Sequence, residues 1–180
     1  FTGGEPLVNQ DAIAEMLNHW FDSGDYPAWI AFETNTTRPL ESEFRNAIAR
    51  YMDVGIQVYF SMSPKLLHVA GEQPERAIKT NLMLQYLANC SESYLKFVLN
   101  EDQRSWDQAK EIVDILASYG ETPDVWVMPV GGVHSQQADA AVGRNLHRAV
   151  GHRNALRTAG QRHAVDGLDS QPAIRCLVVG

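Results

Sequence analysis

Cysteine is the first scarcity: the 180 residues hold two, Cys90 and Cys176, too few and too far apart for a disulfide framework or a metal knuckle. A reducing, cytoplasmic setting is therefore the expectation. No apolar run approaches the ~20 residues that a bilayer-spanning helix needs, so no membrane partner is expected. The first residues also lack a basic stretch followed by an apolar one, so no secretory signal is legible. Positive charge is short overall, with net charge −7 and a pI near 5.3, which argues against direct nucleic-acid or anionic-membrane binding. Aromatic residues are missing from one region altogether, for neither Phe, Trp nor Tyr occurs after Trp126. Lysine stops earlier still, at Lys110.

What is present is ordinary globular composition, 44% apolar and 21% charged, in a length that suits one domain with a sizeable core. The aromatic-free region departs from it, carrying six arginines, four histidines and only three aspartates. We divide the chain accordingly, with residues 1–137 as one folded unit and 138–180 as an atypical basic tail. Two readings of that tail stand open, a disordered segment or a foreign or frame-shifted continuation beginning near Gly143. Its histidines His147, His152 and His163 lack metal-ligand spacing and are expected to face solvent.

Periodicity organises the first 130 residues. Asn9 or Asp11 can cap a helix whose apolar positions Ile13, Met16, Leu17, Trp20 and Phe21 share one face, with Gly24 to end it. Ala28 to Phe32 reads as a strand buried on both faces, because nothing in it alternates. A helix over about 40–52 is stopped by Gly55, and Ile56 to Phe60 forms the next strand. After a longer connection containing Gly71 and Pro74, a helix is expected over roughly 75–88. Tyr94 to Leu99 is a third strand, with Lys96 at its edge. Ser105-x-x-Gln108 resembles a capping box, and the apolar stripe behind it ends at Gly120. Asp124 to Met128 is the fourth strand. Cys90, near a helix end, reads as a small buried hydrophobe.

Strands alternating with helices imply right-handed βαβ units and a parallel sheet, so the chain is an α/β protein. Four short stretches stand at strand ends, where ligands collect in parallel α/β folds. Phe1-Thr2-Gly3-Gly4-Glu5-Pro6 offers two residues without a Cβ and a carboxylate that accepts but does not donate, suited to an ammonium group; an ordinary strand-to-helix turn is the plain alternative. Glu33-Thr34-Asn35 ends a strand with a carboxylate that must meet a cation or a ligand donor, since an unpaired one is costly there. Ser63-Pro64-Lys65 combines a hydroxyl, a rigid turn and a cation, or is simply a turn with a solvated lysine. Met128-Pro129-Val130-Gly131 supplies backbone groups and a soft side chain, or core packing and a turn.

In this order the four stretches resemble the radical S-adenosylmethionine enzymes, and among them 7-carboxy-7-deazaguanine synthase, over roughly residues 1–137. The resemblance implies a partial (βα)6 barrel with parallel strands, its first βα unit lying before Phe1 and missing from this sequence. It implies that Gly3, Gly4 and Glu5 receive the aminocarboxypropyl end of S-adenosylmethionine, that Glu33 contributes to the same site, and that Thr2 faces the substrate. Ser63, Pro64 and Lys65 would surround the sugar and purine, and Met128, Pro129, Val130 and Gly131 the adenine. The implied cofactors are S-adenosylmethionine, Mg2+ and a four-iron four-sulfur cluster whose Cys-x3-Cys-x2-Cys ligands would precede Phe1 and are absent from this chain. Implied partners are a pterin substrate, a reductant such as flavodoxin, and a second copy in a homodimer. The implied lyase reaction converts 6-carboxy-5,6,7,8-tetrahydropterin to 7-carboxy-7-deazaguanine with loss of ammonia, as in queuosine biosynthesis; the segment alone is expected to be inactive. A glycyl-radical activase, or a non-catalytic fragment that binds a nucleoside or a protein, are the alternatives. The family's Glu-Thr-Asn-Gly-Thr is Glu33-Thr34-Asn35-Thr36-Thr37 here. A β-branched residue makes a positive-φ turn expensive, so this loop is expected to differ in shape.

Overall fold

A computed structural model describes residues 1–130; Gly131 and the segment 138–180 lie outside the described residues. Within them the chain is α/β, with a four-stranded, fully parallel sheet: β1 (Trp29–Thr34), β2 (Gln57–Met62), β3 (Glu92–Leu99) and β4 (Asp124–Pro129), paired in the order β1-β2-β3-β4. Helix α1 (Gln10–Ser23) precedes β1, α2 (Ser42–Asp53) joins β1 to β2, and α6 (Gln103–Ser118) joins β3 to β4. Between β2 and β3 lie two single turns, α3 (Leu67–Ala70) and α4 (Pro74–Ala77), and then α5 (Thr80–Leu87).

Right-handed crossovers between strands that follow one another in space as in sequence carry every helix to the same face of the sheet. Burial follows from that. Ile30 and Phe32, Val58, Phe60 and Met62, Leu95, Phe97 and Leu99, and Val125 and Val127 are buried against Leu17, Phe44, Ile48, Tyr51, Met83, Tyr86, Ile112 and Leu116 of the helices. The residues between them on each strand face the other way. Trp29 is 61% exposed and Glu33 is exposed, so β1 alternates instead of being buried on both faces as its composition suggested. Its apolar run is misleading because Trp29 and Ala31 lie on the side without helices. The arrangement is compatible with an arc of an α/β barrel.

The local chemistry departs from expectation at three more places. Asn9 stands at the start of α1 without a side-chain capping bond, because a 3-10 turn over Pro6–Asn9 runs directly into the helix. Buried Gln10 instead ties the region together, donating to Leu7 O (3.1 Å) and Pro39 O (2.8 Å) while accepting from Glu41 N (2.9 Å). The helix expected over 75–88 is broken where Ile78 turns extended, so only Thr80–Leu87 continues. Helix α6 begins earlier than the apparent capping box: Asp102 is its cap, accepting from Arg104 N at 3.0 Å. Ser105 is buried inside that helix, its hydroxyl donating to Asp102 O, and the Gln108 carbonyl oxygen accepts from Leu67 N (3.0 Å), holding α3 against α6.

The two faces should respond differently to truncation. Phe60→Ala removes a ring 0% exposed that meets Phe32 and Tyr86 at 5.4 and 4.9 Å; it should cost about 3–5 kcal/mol. Trp29→Ala, on the open face, should stay within about 1 kcal/mol. Urea denaturation of both variants checks this, and equal costs would contradict the one-sided core.

Candidate functional site

The parallel register brings the carboxyl ends of the four strands to one end of the sheet. Phe1 is held at the free edge of β1 as a strand residue would be: its amino group donates to Ala31 O (2.6 Å) and its carbonyl accepts from Glu33 N (2.9 Å). Its ring stacks on Phe32 at 4.8 Å. The chain then turns through Gly3 (φ 88°) and Gly4 (φ 60°), both left-handed, which is why side-chain-free residues stand there. Apart from the adjoining residues of the turn, no described atom lies within 4 Å of where either Cβ would be, so the space above this turn is open.

Glu5 fastens the turn to the exit of β1. Its carboxylate accepts from Leu7 N (3.2 Å) and the Thr34 hydroxyl (2.8 Å) with one oxygen, and from Asn35 N (2.6 Å) with the other. Three donors on one carboxylate leave little accepting capacity for an ammonium group; in the free chain Glu5 is a structural clamp. Beyond it, Thr36 takes φ 62° while 0% exposed, the one positive-φ residue other than glycine among the described residues. A β-branched side chain in that conformation is strained. The loop carries the strain with bonds from Thr36 N to Thr34 Oγ1 (3.0 Å) and from the Thr37 hydroxyl to Asn35 Oδ1 (2.6 Å).

Glu33, the second predicted carboxylate, meets both a hydroxyl and a cation. Thr2 Oγ1 donates to its Oε2 (2.9 Å), and Lys96 Nζ on β3 donates to its Oε1 (3.1 Å). The Thr2 hydrogen bond and then the Lys96 ammonium hold its carboxyl below the usual range, against a smaller opposing effect of burial. Ser63 N donates to Thr34 O (2.7 Å), Pro64 is buried and Lys65 points to solvent. Met128 lies in β4 as expected and Pro129 belongs to that strand too rather than to its exit loop, while Val130 N donates to Leu99 O (2.8 Å) with its side chain 48% exposed. Three of the predicted stretches are thus joined by direct hydrogen bonds. The fourth lies at the same end of the sheet, two strands from β2, and its Gly131 falls outside the described residues.

A shallow groove of about 340 Å3 runs along the outer edge of β1, lined by Phe1, Pro27, Trp29, Ile30 and Ala31 and ending at Thr2 and Glu33. Sequence reasoning left two side chains of this region out. Lys96 was assigned only to a strand edge, although its place between buried Leu95 and Phe97 puts it on the open face beside Glu33. Ser61, opposite Glu33 on β2, carried no signal beyond the same alternation.

The two thiols divide differently. Cys90 is half-buried before the first residue of β3, at the opposite end of the sheet from Glu33, and burial pushes its thiol up to about 11. That environment suits a small packing side chain rather than a thiolate ligand. Cys176 lies outside the described residues. Among the described residues no group of three His, Cys, Asp or Glu is placed to hold a metal ion, and no helix is long and apolar enough to cross a membrane. Comparison with protein-family models, with curated proteins and with solved structures found no match.

Two outcomes follow from this geometry. Glu5→Ala strips three donors of their acceptor and should cost about 2–3 kcal/mol, with Glu5→Gln costing less and Asn35 N–H exchange accelerating in both. Urea melts and hydrogen exchange read these effects. A carboxyl held low, like that of Glu33, stabilises the fold above the ordinary carboxylate pKa, and the benefit disappears as pH falls through the lowered value. Thr2→Val or Lys96→Met should raise the Glu33 pKa, followed by carbon NMR of its carboxyl, and flatten the acid-side loss of stability.

Proposed function

We propose that this chain is the cofactor- and substrate-holding part of a radical S-adenosylmethionine enzyme of the 7-carboxy-7-deazaguanine synthase type, built on a partial (βα)6 barrel. The observation that carries the reading is the set of bonds Thr2–Glu33, Glu5–Asn35 and Ser63–Thr34, which joins three stretches singled out separately in the sequence. A parallel sheet gathers its strand exits at one end in any case; what supports the reading beyond that is the pair of side-chain bonds, Thr2 to Glu33 and Asn35 N to Glu5, that tie the glycine turn to the exit of β1.

In this reading each residue binds or orients. The open left-handed turn at Gly3 and Gly4 takes the aminocarboxypropyl group against backbone N–H groups. Glu5 keeps that turn rigid from behind, its own oxygens being committed to Leu7, Thr34 and Asn35. Ser63, Pro64 and Lys65 border the sugar, while Met128 to Gly131 border the adenine. Thr2 faces the pterin substrate, and Glu33, which the resemblance places at the cofactor, stands beside it through the Thr2–Glu33 bond. S-adenosylmethionine held here would supply, on one-electron reductive cleavage by a cluster held elsewhere, the 5′-deoxyadenosyl radical that abstracts hydrogen; this chain's part would be binding and orientation.

A four-iron four-sulfur cluster does not fit the residues described. The one described thiol, Cys90, is at the wrong end of the sheet and is held protonated by burial, whereas such a cluster needs several thiolates together. The reading therefore assigns this chain ligand holding and not cluster ligation. Mg2+, the reductant and the homodimer remain expectations of the family resemblance.

Equilibrium dialysis of the 180-residue chain with labelled S-adenosylmethionine tests the reading. Retention is expected, and Gly4→Val, which forces a β-branched residue to φ 60°, should weaken it by about tenfold, or 1.4 kcal/mol, with the circular-dichroism melt showing a folded chain. If the wild-type chain retains none of the ligand, the reading fails and a non-catalytic structural role replaces it.

A further inference from the structure

The ion pair between β1 and β3 lies across the strand between them. Glu33, Ser61 and Tyr94 are in register on β1, β2 and β3, and in-register neighbours of a parallel sheet project from the same face. Lys96, two residues beyond Tyr94, projects from that face too. A bridge from Lys96 to Glu33 must therefore pass over β2 at the level of Ser61. Ser61 is 2% exposed, and its hydroxyl has no hydrogen-bond partner, the one buried side-chain polar atom so placed among the described residues.

An unpartnered buried hydroxyl is costly, and it calls for a reason. The Lys96 side chain, whose bridge to Glu33 crosses β2 at this level, swings through four flexible bonds without moving the backbone. The lysine is itself mostly covered, at 21% exposed, while its partner Glu33 is 48% exposed. The glutamate is thus the more solvated side chain of the pair and the lysine the more sheltered one.

We propose that Lys96 and Ser61 form a carboxylate-binding subsite on the open face, in which Glu33 stands in for the ligand's acid group while the site is free. The ligand's carboxylate takes the Lys96 ammonium from Glu33 and accepts the Ser61 hydroxyl, which then gains its missing bond. Glu33, released, accepts N–H donors from the ring of the same ligand. Trp126, in register with Lys96, and Tyr94, 5.9 Å from Trp126, border this position with aromatic surface. The ligand class is a flat heterocycle bearing N–H groups and a carboxylate. The inference rests on the proposed function and deepens it, because it names the residues that would hold the acid group of the substrate.

Fluorescence titration of the 180-residue chain with 6-carboxypterin and with pterin separates the outcomes. The carboxylated ring should bind about tenfold more tightly. Lys96→Met should abolish that preference by weakening 6-carboxypterin alone, and Lys96→Arg should restore part of it. Ser61→Ala should cost about threefold for 6-carboxypterin and nothing for pterin, while the thermal midpoint of the free protein holds or rises because an orphan hydroxyl has gone. Equal affinity for the two ligands in the wild-type chain, or an undiminished preference in a Lys96→Met chain shown to be folded by circular dichroism, overturns the subsite and leaves the function standing. Retention of S-adenosylmethionine with neither pterin bound overturns the pterin reading and the subsite with it.

Discussion

A parallel sheet whose strands run in sequence order has no freedom about where its helices go. The handedness of the crossover sends each of them to one face, and the apolar half of every strand must follow. Ile30, Phe32, Val58, Phe60, Leu95 and Phe97 sink beneath the helices. Glu33, Tyr59, Tyr94, Lys96 and Trp126 are left on the far side by the two-residue period of the backbone. The open face is thus a product of chain direction and chirality, settled before any side chain on it is chosen. That face is free to carry polar and aromatic groups because the core makes no demand on it.

At the carboxyl ends of the strands a second layer of constraint operates. Glu5 draws the glycine turn down onto Thr34 and Asn35, and Thr36 holds a left-handed conformation that its side chain disfavours. Strain of this kind persists only where the surroundings over-determine it, and here the surroundings are the loop's own hydrogen bonds together with complete burial of Thr36. The result is a stiff rim on a sheet whose remaining surface is uncommitted.

Much of this was legible in the residue pattern. The strand and helix order, the parallel sheet and the grouping of Glu5, Glu33 and Ser63 followed from apolar periodicity and from the positions of glycine and proline. Four things were hidden. Trp29 and Ala31 are apolar for reasons other than core burial, so β1 looked buried on both sides. The break at Ile78 depends on tertiary packing, which overrides helix propensity in a short segment. The capping of α6 by Asp102 was masked by Ser105, whose spacing to Gln108 imitates a cap although both side chains serve contacts inside the fold. Lys96 and Ser61 were missed because alternation reveals which face a residue takes and never which neighbour it meets there.

Each strand in this sheet is bonded to its sequence neighbour, so every seam is a local affair between two consecutive βα units. Such an architecture is additive in evolution. A duplicated or deleted unit at either margin leaves the ladders of the others intact, much as a palisade tolerates gaining or losing its end post. Variation in strand number is then a cheap change, while variation in the order of the strands is closed off.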